Sequence, residues 1–369
     1  MWYRRKQTLQ MRTVVGVVEL EVWYGKDPQS GHWGCPMRQR WGLEAYQQMS
    51  PALEERVAFM ATVTFSYEAA AQAVRKWGCP MDSAVIHAVV QRRGKKAEQQ
   101  SQQRLKQLPV DKEPQRATEL GVLMIDGWYA RFRGEGWGKK KSKKDRVEWH
   151  EIKTGLFYRQ DQAARTQSDR GIICAKAVVR WQGEPLEFGQ RLGWEALRGG
   201  IGRARDLVAV GDGARWIWNL VQDRWGQAQQ VLDFWHGSQH LWELGRAYCG
   251  NDELQSKKWV EKRLHQLRHG KEKTVLKELA QLKAPRGPRG KILRKEQNYF
   301  REQAPRMHYQ ELCERGWPIG SGAVESQCNQ AQGRFKRSGQ FWTQRGFRHL
   351  SALDEAWLNG HWDQIWLNA

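Results

Sequence analysis

Two short apolar runs, each ending in an aspartate and a glycine, constrain this chain more than any other feature. Gly121-Val-Leu-Met-Ile125 leads into Asp126-Gly127, and Leu207-Val-Ala-Val-Gly211 leads into Asp212-Gly213. Apolar runs of this length, bounded by turn-forming residues, predict strands buried on both faces. Trp128-Tyr-Ala-Arg-Phe132 follows the first closely, and Val147–Tyr158 and Ile172–Trp181 are further strand candidates, so three consecutive strands predict an antiparallel meander. The pattern then alternates: a helix near 185–200, the strand before Asp212, a helix over about 214–223, a strand at Gln230–Asp233 and a helix from about 237. An α+β fold with a mixed sheet flanked by helices follows, and this element order is that of a ribonuclease H-like sheet.

Aspartates at the ends of neighbouring strands converge on one sheet edge. Taken singly, each has an ordinary reading: Asp126 as a strand-end turn residue, Asp212 as the cap of the helix starting at Ala214. Two on strands that lie side by side in this order are a stronger signal. Glu325 stands in Pro318-Ile-Gly-Ser-Gly-Ala-Val-Glu325-Ser326, the first turn of a predicted helix, with Gly322 as the expected cap and Glu325 at N3. A first-turn glutamate is also simply favoured by the helix dipole. Three carboxylates brought together from distant positions suit hard divalent cations, which stabilise both the entering and leaving oxygens of a phosphodiester displacement. Asp233 and His236 form Asp-x-x-His after the last strand and are expected to support such a group from behind.

Charge narrows the partner. The 369 residues hold 61 Lys and Arg against 40 Asp and Glu, a net +21. Such an excess favours polyanions, and nucleic acid above all, because each neutralised phosphate releases a counterion. A membrane partner is disfavoured, since no apolar run approaches the roughly 20 residues of a bilayer span. The basic start Met1-Trp-Tyr-Arg-Arg-Lys6 is followed by polar residues rather than a signal-peptide core, so a cytoplasmic protein is expected. Six cysteines are scattered without zinc-finger or redox spacing and read as reduced thiols. Most of the 21 tryptophans are expected in cores or interfaces, with some available to stack on bases.

The remaining segments divide the chain. Residues 1–50 contain a β-prone stretch, Thr13–Tyr24, with no legible function. Residues 51–105 read as helices beginning at Pro51, at Ser66 and near Asp82-Ser83, with Gly78-Cys79-Pro80 between the last two. Helix, short glycine-containing turn, helix is the helix-turn-helix pattern, which places a DNA-recognition helix at about 82–93 and Arg92 and Arg93 at its end. A plain helical hairpin has the same pattern. The catalytic core is expected over 118–244 and 305–369, interrupted by a charged helical insertion at 245–304. Phosphate contacts are expected from the lysine-rich tip Lys139, Lys140, Lys141, Lys143 and Lys144, and from Arg334, Lys336 and Arg337 beyond Glu325.

Ile125-Asp126-Gly127, Gly211-Asp-Gly-Ala-Arg-Trp-Ile-Trp218, Leu232-Asp-Phe-Trp-His236, Gly316-Trp-Pro-Ile-Gly-Ser-Gly-Ala-Val-Glu-Ser326 and Gly333-Arg-Phe-Lys-Arg-Ser-Gly-Gln-Phe-Trp342 together resemble the ISKra-type family of insertion-sequence transposases. The resemblance runs from about residue 52 to about 357. It implies a DDE triad at Asp126, Asp212 and Glu325, an all-helical insertion before the glutamate, and cleavage and transfer of DNA strands with two Mg²⁺, for which Mn²⁺ would substitute. Double-stranded DNA, as terminal inverted repeats and target, is the implied partner, with a homo-oligomer joining two ends. Cys35 and Cys79 alone fall in the N-terminal region, which argues against the Cys-rich finger some relatives carry. An inactive, transposase-derived regulator and a ribonuclease H-like repair nuclease are the alternatives.

Overall fold

The computed structural model describes residues 2–43, 47–109, 118–139, 145–168, 171–250 and 252–367. In chain order the strands are β1 (Trp2–Thr13), β2 (Gly16–Lys26), β3 (Trp33–Gly34), β4 (Thr118–Arg133), β5 (Val147–Arg159), β6 (Ala163–Arg165), β7 (Gly171–Ile173), β8 (Ala177–Trp181), β9 (Ala204–Gly211) and β10 (Gln229–Leu232). The helices are α1 (Pro36–Arg40), α2 (Pro51–Val63), α3 (Tyr67–Lys76), α4 (Ser83–Arg104), α5 (Pro185–Arg198), α6 (Arg215–Arg224), α7 (Phe234–Cys249), α8 (Glu253–Arg268), α9 (Glu272–Gln281), α10 (Pro288–Gln303), α11 (Tyr309–Glu314), α12 (Gly322–Phe335) and α13 (Gln344–Leu358). No helix among the described residues is long and apolar enough to cross a membrane. The chain divides into two compact units: residues 1–108, 129–150 and 330–369 form the first, and residues 109–128 and 151–329 the second.

In the first unit the N-terminal stretch is a hairpin. β1 pairs antiparallel with β2, turning at Gly16 (φ +116°), and Leu9, Met11 and Val22 bury against Cys35 and Leu43. The helices begin where their caps predict. Ser50 accepts from Leu53 N at 3.3 Å with Pro51 opening α2, and Ser66 accepts from Ala69 N at 3.0 Å. Gly78 (φ +77°) ends α3.

The expected recognition helix at 82–93 forms the first half of the 22-residue α4, which continues to Arg104. Its second half stays helical because Ala97 is buried there and Gly94 lies so close to His349 of α13 that a Cβ would come within 2.6 Å of that side chain. Buried charge also fixes the bundle. Glu54 of α2 is fully buried and ion-paired with both Arg92 and Arg93. Arg93 is 2% exposed and stacks on Trp366, so it offers nothing to a phosphate, and Arg92 is held at Glu54. Arg334 is 8% exposed and donates to the Ala61 carbonyl at 3.1 Å. Arg93 and Arg334 are buried in the bundle, which corrects the expectation that they meet DNA, whereas Arg92 pairs with Glu54 and stays 31% exposed.

The second unit holds a five-stranded mixed sheet in the order β10-β9-β4-β5-β8. β9 runs parallel to both β4 and β10, and β5 runs antiparallel to β8. The expected strand 172–181 is two: β7 pairs with β6 in a separate ribbon, and only β8 joins the sheet. Leu123, Ile125, Leu207 and Ala209 point to one sheet face and bury against Phe188, Leu192, Ile217 and Trp218 of α5 and α6. Helices α8, α9 and α10 form the charged helical segment, while α7 runs unbroken from Phe234 to Cys249, past the expected boundary at 245.

Candidate carboxylate site

Register delivers the aspartates. Ile125 pairs with Gly211, and Gly211 pairs with Leu232, across three adjacent parallel strands. Asp126, Asp212 and Asp233 each follow one of these paired residues, so they stand abreast. Since Ile125 faces the α5–α6 core, alternation turns its successor Asp126 to the opposite face, with Asp212 and Asp233 beside it. Asp126 does not close its strand as expected; β4 continues to Arg133, and what ends beside Asp126 is the ladder to β9. Gly127 lies beside the Glu151 carboxylate: a Cβ there would come 2.7 Å from Glu151 Oε1, so that side chain would have to swing aside.

The three are not equivalent. Asp233 is fully buried and caps α7, accepting from Trp235 N and from His236 N at 3.2 Å through Oδ1. Its Oδ2 accepts from Ser321 N at 2.7 Å and from Ser321 Oγ. With its lone pairs taken, Asp233 acts as an anchor for the segment that leads into α12. Asp126 and Asp212 are only partly buried, and each accepts one local backbone hydrogen bond: Asp126 from Gly127 N at 2.7 Å, Asp212 from Ala214 N at 2.9 Å. Asp126 also meets the buried Cys328 thiol.

Glu325 arrives through the Ser321 anchor. Helix α12 opens at Gly322, and Glu325 N bonds the Ser321 carbonyl at 3.1 Å, making Glu325 the fourth helical residue rather than N3. Its Oε1 lies 3.0 Å from Ser321 Oγ and 3.9 Å from His236 Nδ1. His236 Nδ1 is also 3.6 Å from Asp233 Oδ2. Asp233, His236 and Glu325 thus offer donor atoms all within 4.8 Å of one another.

Charge in the site is unbalanced. The Asp233 carboxylate favours the charged imidazole and pushes His236 up to about 9. Burial opposes ionisation of Asp233, but hydrogen bonds from His236 and Ser321 outweigh it and hold its carboxyl at about 2. Asp126 is raised, first by burial and then by the neighbouring Asp212, and only partly relieved by the Gly127 amide. His236 is shared between Asp233 at 3.6 Å and Glu325 at 3.9 Å, so a single imidazolium faces four carboxylates at this edge. Hard, oxygen-only donors in an anionic pocket fit a divalent ion such as Mg²⁺.

The helical insertion reaches this edge. Tyr299 of α10 donates through Oη to the Asp212 carbonyl at 2.8 Å, and Gln303 Nε2 donates to the Gly213 carbonyl at 3.0 Å. Gly213 (φ +101°) has no room for a side chain, since a Cβ would meet the Tyr299 ring at 2.9 Å. Behind Tyr299, the His240 ring stacks at 3.7 Å and bonds buried Glu296 at 2.6 Å. His240, Glu243 and Glu296 form a second group of metal-ligand type, but Lys295 lies 3.1 Å from Glu296 and supplies the cation.

Of the residues singled out from sequence, Asp126, Asp212, Asp233, His236 and Glu325 share this edge. Lys139, Lys336 and Arg337 lie in the first unit, and Lys140, Lys141, Lys143 and Lys144 lie outside the described residues. Sequence reasoning missed Ser321, Tyr299 and Gln303. Ser321 was visible in the Gly-Ser-Gly run, but the other two sit in an ordinary charged helix that carries no local signal. Compared with known protein families and with curated proteins, the chain shows no match to either.

Proposed function

We propose that this chain is a DNA transposase of the DDE type, which binds the ends of an insertion sequence and cuts and transfers DNA strands. One observation carries the reading: parallel register sets Asp126 and Asp212 side by side, and the Asp233–Ser321 anchor brings Glu325 to the same edge. The strand order supports a ribonuclease H-like sheet, with the meander strands β4, β5 and β8 at one side and β9 and β10 added parallel beside β4. The net +21 and the resemblance to ISKra-type transposases supply the polyanionic substrate.

In this reading Asp126, Asp212 and Glu325 would hold Mg²⁺, which when bound would supply charge stabilisation and activation of an oxygen nucleophile at the scissile phosphate. Asp126 and Asp212 hold their carboxylates on adjacent backbones, so their spacing is set by the sheet. His236, fixed by Asp233, presents a cation beside Glu325 and orients it. Tyr299 and Gln303 fix the Asp212 loop from the insertion side. Loops α3–α4 and the exposed basic residues are the reading's DNA contacts. The test is incubation of purified protein with Mg²⁺ and a duplex carrying the element's own ends, scored for cleavage and for strand joining. Cleavage lost in Asp212→Ala with DNA binding retained is expected; full cleavage by that variant would sink the assignment.

A further inference from the structure

The first unit carries a surface that the carboxylate site does not use. Tyr129, Arg131 and Arg133 alternate along one face of β4, and Trp149 lies on β5. The reverse face is ordinary core: Phe132 packs on His150 at 4.7 Å and on Phe347 of α13 at 5.3 Å. An amphipathic ribbon normally puts short polar residues outward. This one exposes Tyr129 (51%), Trp149 (55%) and Trp137 (39%), and Phe65 nearby is 55% exposed.

Cations are threaded between the rings. The Arg131 guanidinium lies 5.9 Å from Trp149 and 5.1 Å from Phe341, and Lys336 is 5.8 Å from the same Trp149. Arg133 sits 5.3 Å from Trp137, which packs on Phe341 at 4.8 Å, and Arg337 lies 4.6 Å over Phe65. Arg131 also donates to the Arg337 carbonyl and Arg133 to the Phe341 carbonyl at 3.3 Å, which holds the stacks in place. Among the described residues none of these four cations is in an ion pair, so their charge is available to an external anion.

Four unpaired cations suit a phosphate backbone, and exposed rings suit base faces. A duplex offers the first but keeps its base faces stacked inside, so the aromatics would gain nothing from it. We infer that this face binds an unpaired DNA strand, with Trp149 and Trp137 stacking on bases and Arg131, Arg133, Lys336 and Arg337 neutralising phosphates. The choice of DNA rests on the proposed function.

Metal-free binding tests it separately from catalysis. Fluorescein-labelled dT20 and a 20-base-pair duplex are titrated with the full chain in EDTA and followed by anisotropy. Trp137→Ala with Trp149→Ala should weaken dT20 binding about tenfold or more, with the duplex changed less than about twofold. Trp149→Phe, which keeps a stacking face, should bind like the parent and excludes a folding artefact. Arg133→Ala should reduce the slope of log affinity against log salt by roughly one. Unchanged dT20 affinity in the double variant, equal losses on duplex, or tighter binding of oligo-rU than of dT20 would each overturn the inference. Mg²⁺-dependent cleavage with tryptophan-independent dT20 binding removes this surface alone. Tryptophan-dependent dT20 binding without cleavage keeps the surface and removes the catalytic reading.

Discussion

The two units treat buried charge in opposite ways. In the helical bundle, the fully buried Glu54 is held by two guanidiniums, Arg92 and Arg93, so the buried carboxylate is fully countered within the chain. At the strand edge of the second unit, Asp126 and Asp212 stand abreast, and one imidazolium, His236, lies between Asp233 and Glu325. The first arrangement is complete by itself. The second sets more carboxylates together than one imidazolium can match, and that asymmetry distinguishes the two regions.

Substitutions can break the comparison. Asp212→Ala should lower Mg²⁺-dependent cleavage on the order of a thousandfold, since several kcal/mol of charge stabilisation is lost. Its metal-free melting temperature should stay level or rise, because a repulsion with Asp126 is relieved. Glu54→Ala should do the reverse, destabilising by about 3–5 kcal/mol through two orphaned guanidiniums. Chemical denaturation measures that loss, while Mn²⁺ affinity by calorimetry should not move. A Glu54→Ala protein as stable as the parent would show that the bundle charge is not structural.

The Asp233–His236 pair lies between these extremes, and pH sharpens the point. Asp233 is lowered to about 2 from 3.8, so its contribution is full above pH 3.8 and lost as pH falls through about 2. His236 is raised to about 9 from 6.5, so its contribution is full below pH 6.5 and lost as pH rises through about 9. Metal-free stability should therefore plateau between these limits and fall at both ends, with about 2 kcal/mol from the acid limb. Urea midpoints across pH in EDTA check it, and His236→Gln should remove the alkaline fall. Smallest is Tyr299→Phe, which frees the Asp212 carbonyl and should weaken Mn²⁺ binding about tenfold, as loss of a supporting hydrogen bond behind a ligand does. An unchanged Mn²⁺ affinity would mean that the insertion does not position Asp212.

Much of this was legible along the chain. The strands before Asp126 and Asp212 announce themselves as apolar runs, and Pro51, Ser66 and Gly78 mark helix limits through local backbone chemistry. Arginine roles were not legible. Arg93 and Arg334 look like any surface cation in sequence, and only packing shows that each is buried against an acceptor far away in the chain.

The sequence by itself determined which residues are apolar, which carry charge and where elements start and stop, because those depend on neighbours a few positions apart. Tertiary structure decided the rest. Asp126 and Asp212 became partners through strand register across some 80 residues of chain, and Glu325 joined them because Ser321 bonds Asp233. Register and anchoring are long-range geometric facts, and no local pattern encodes them.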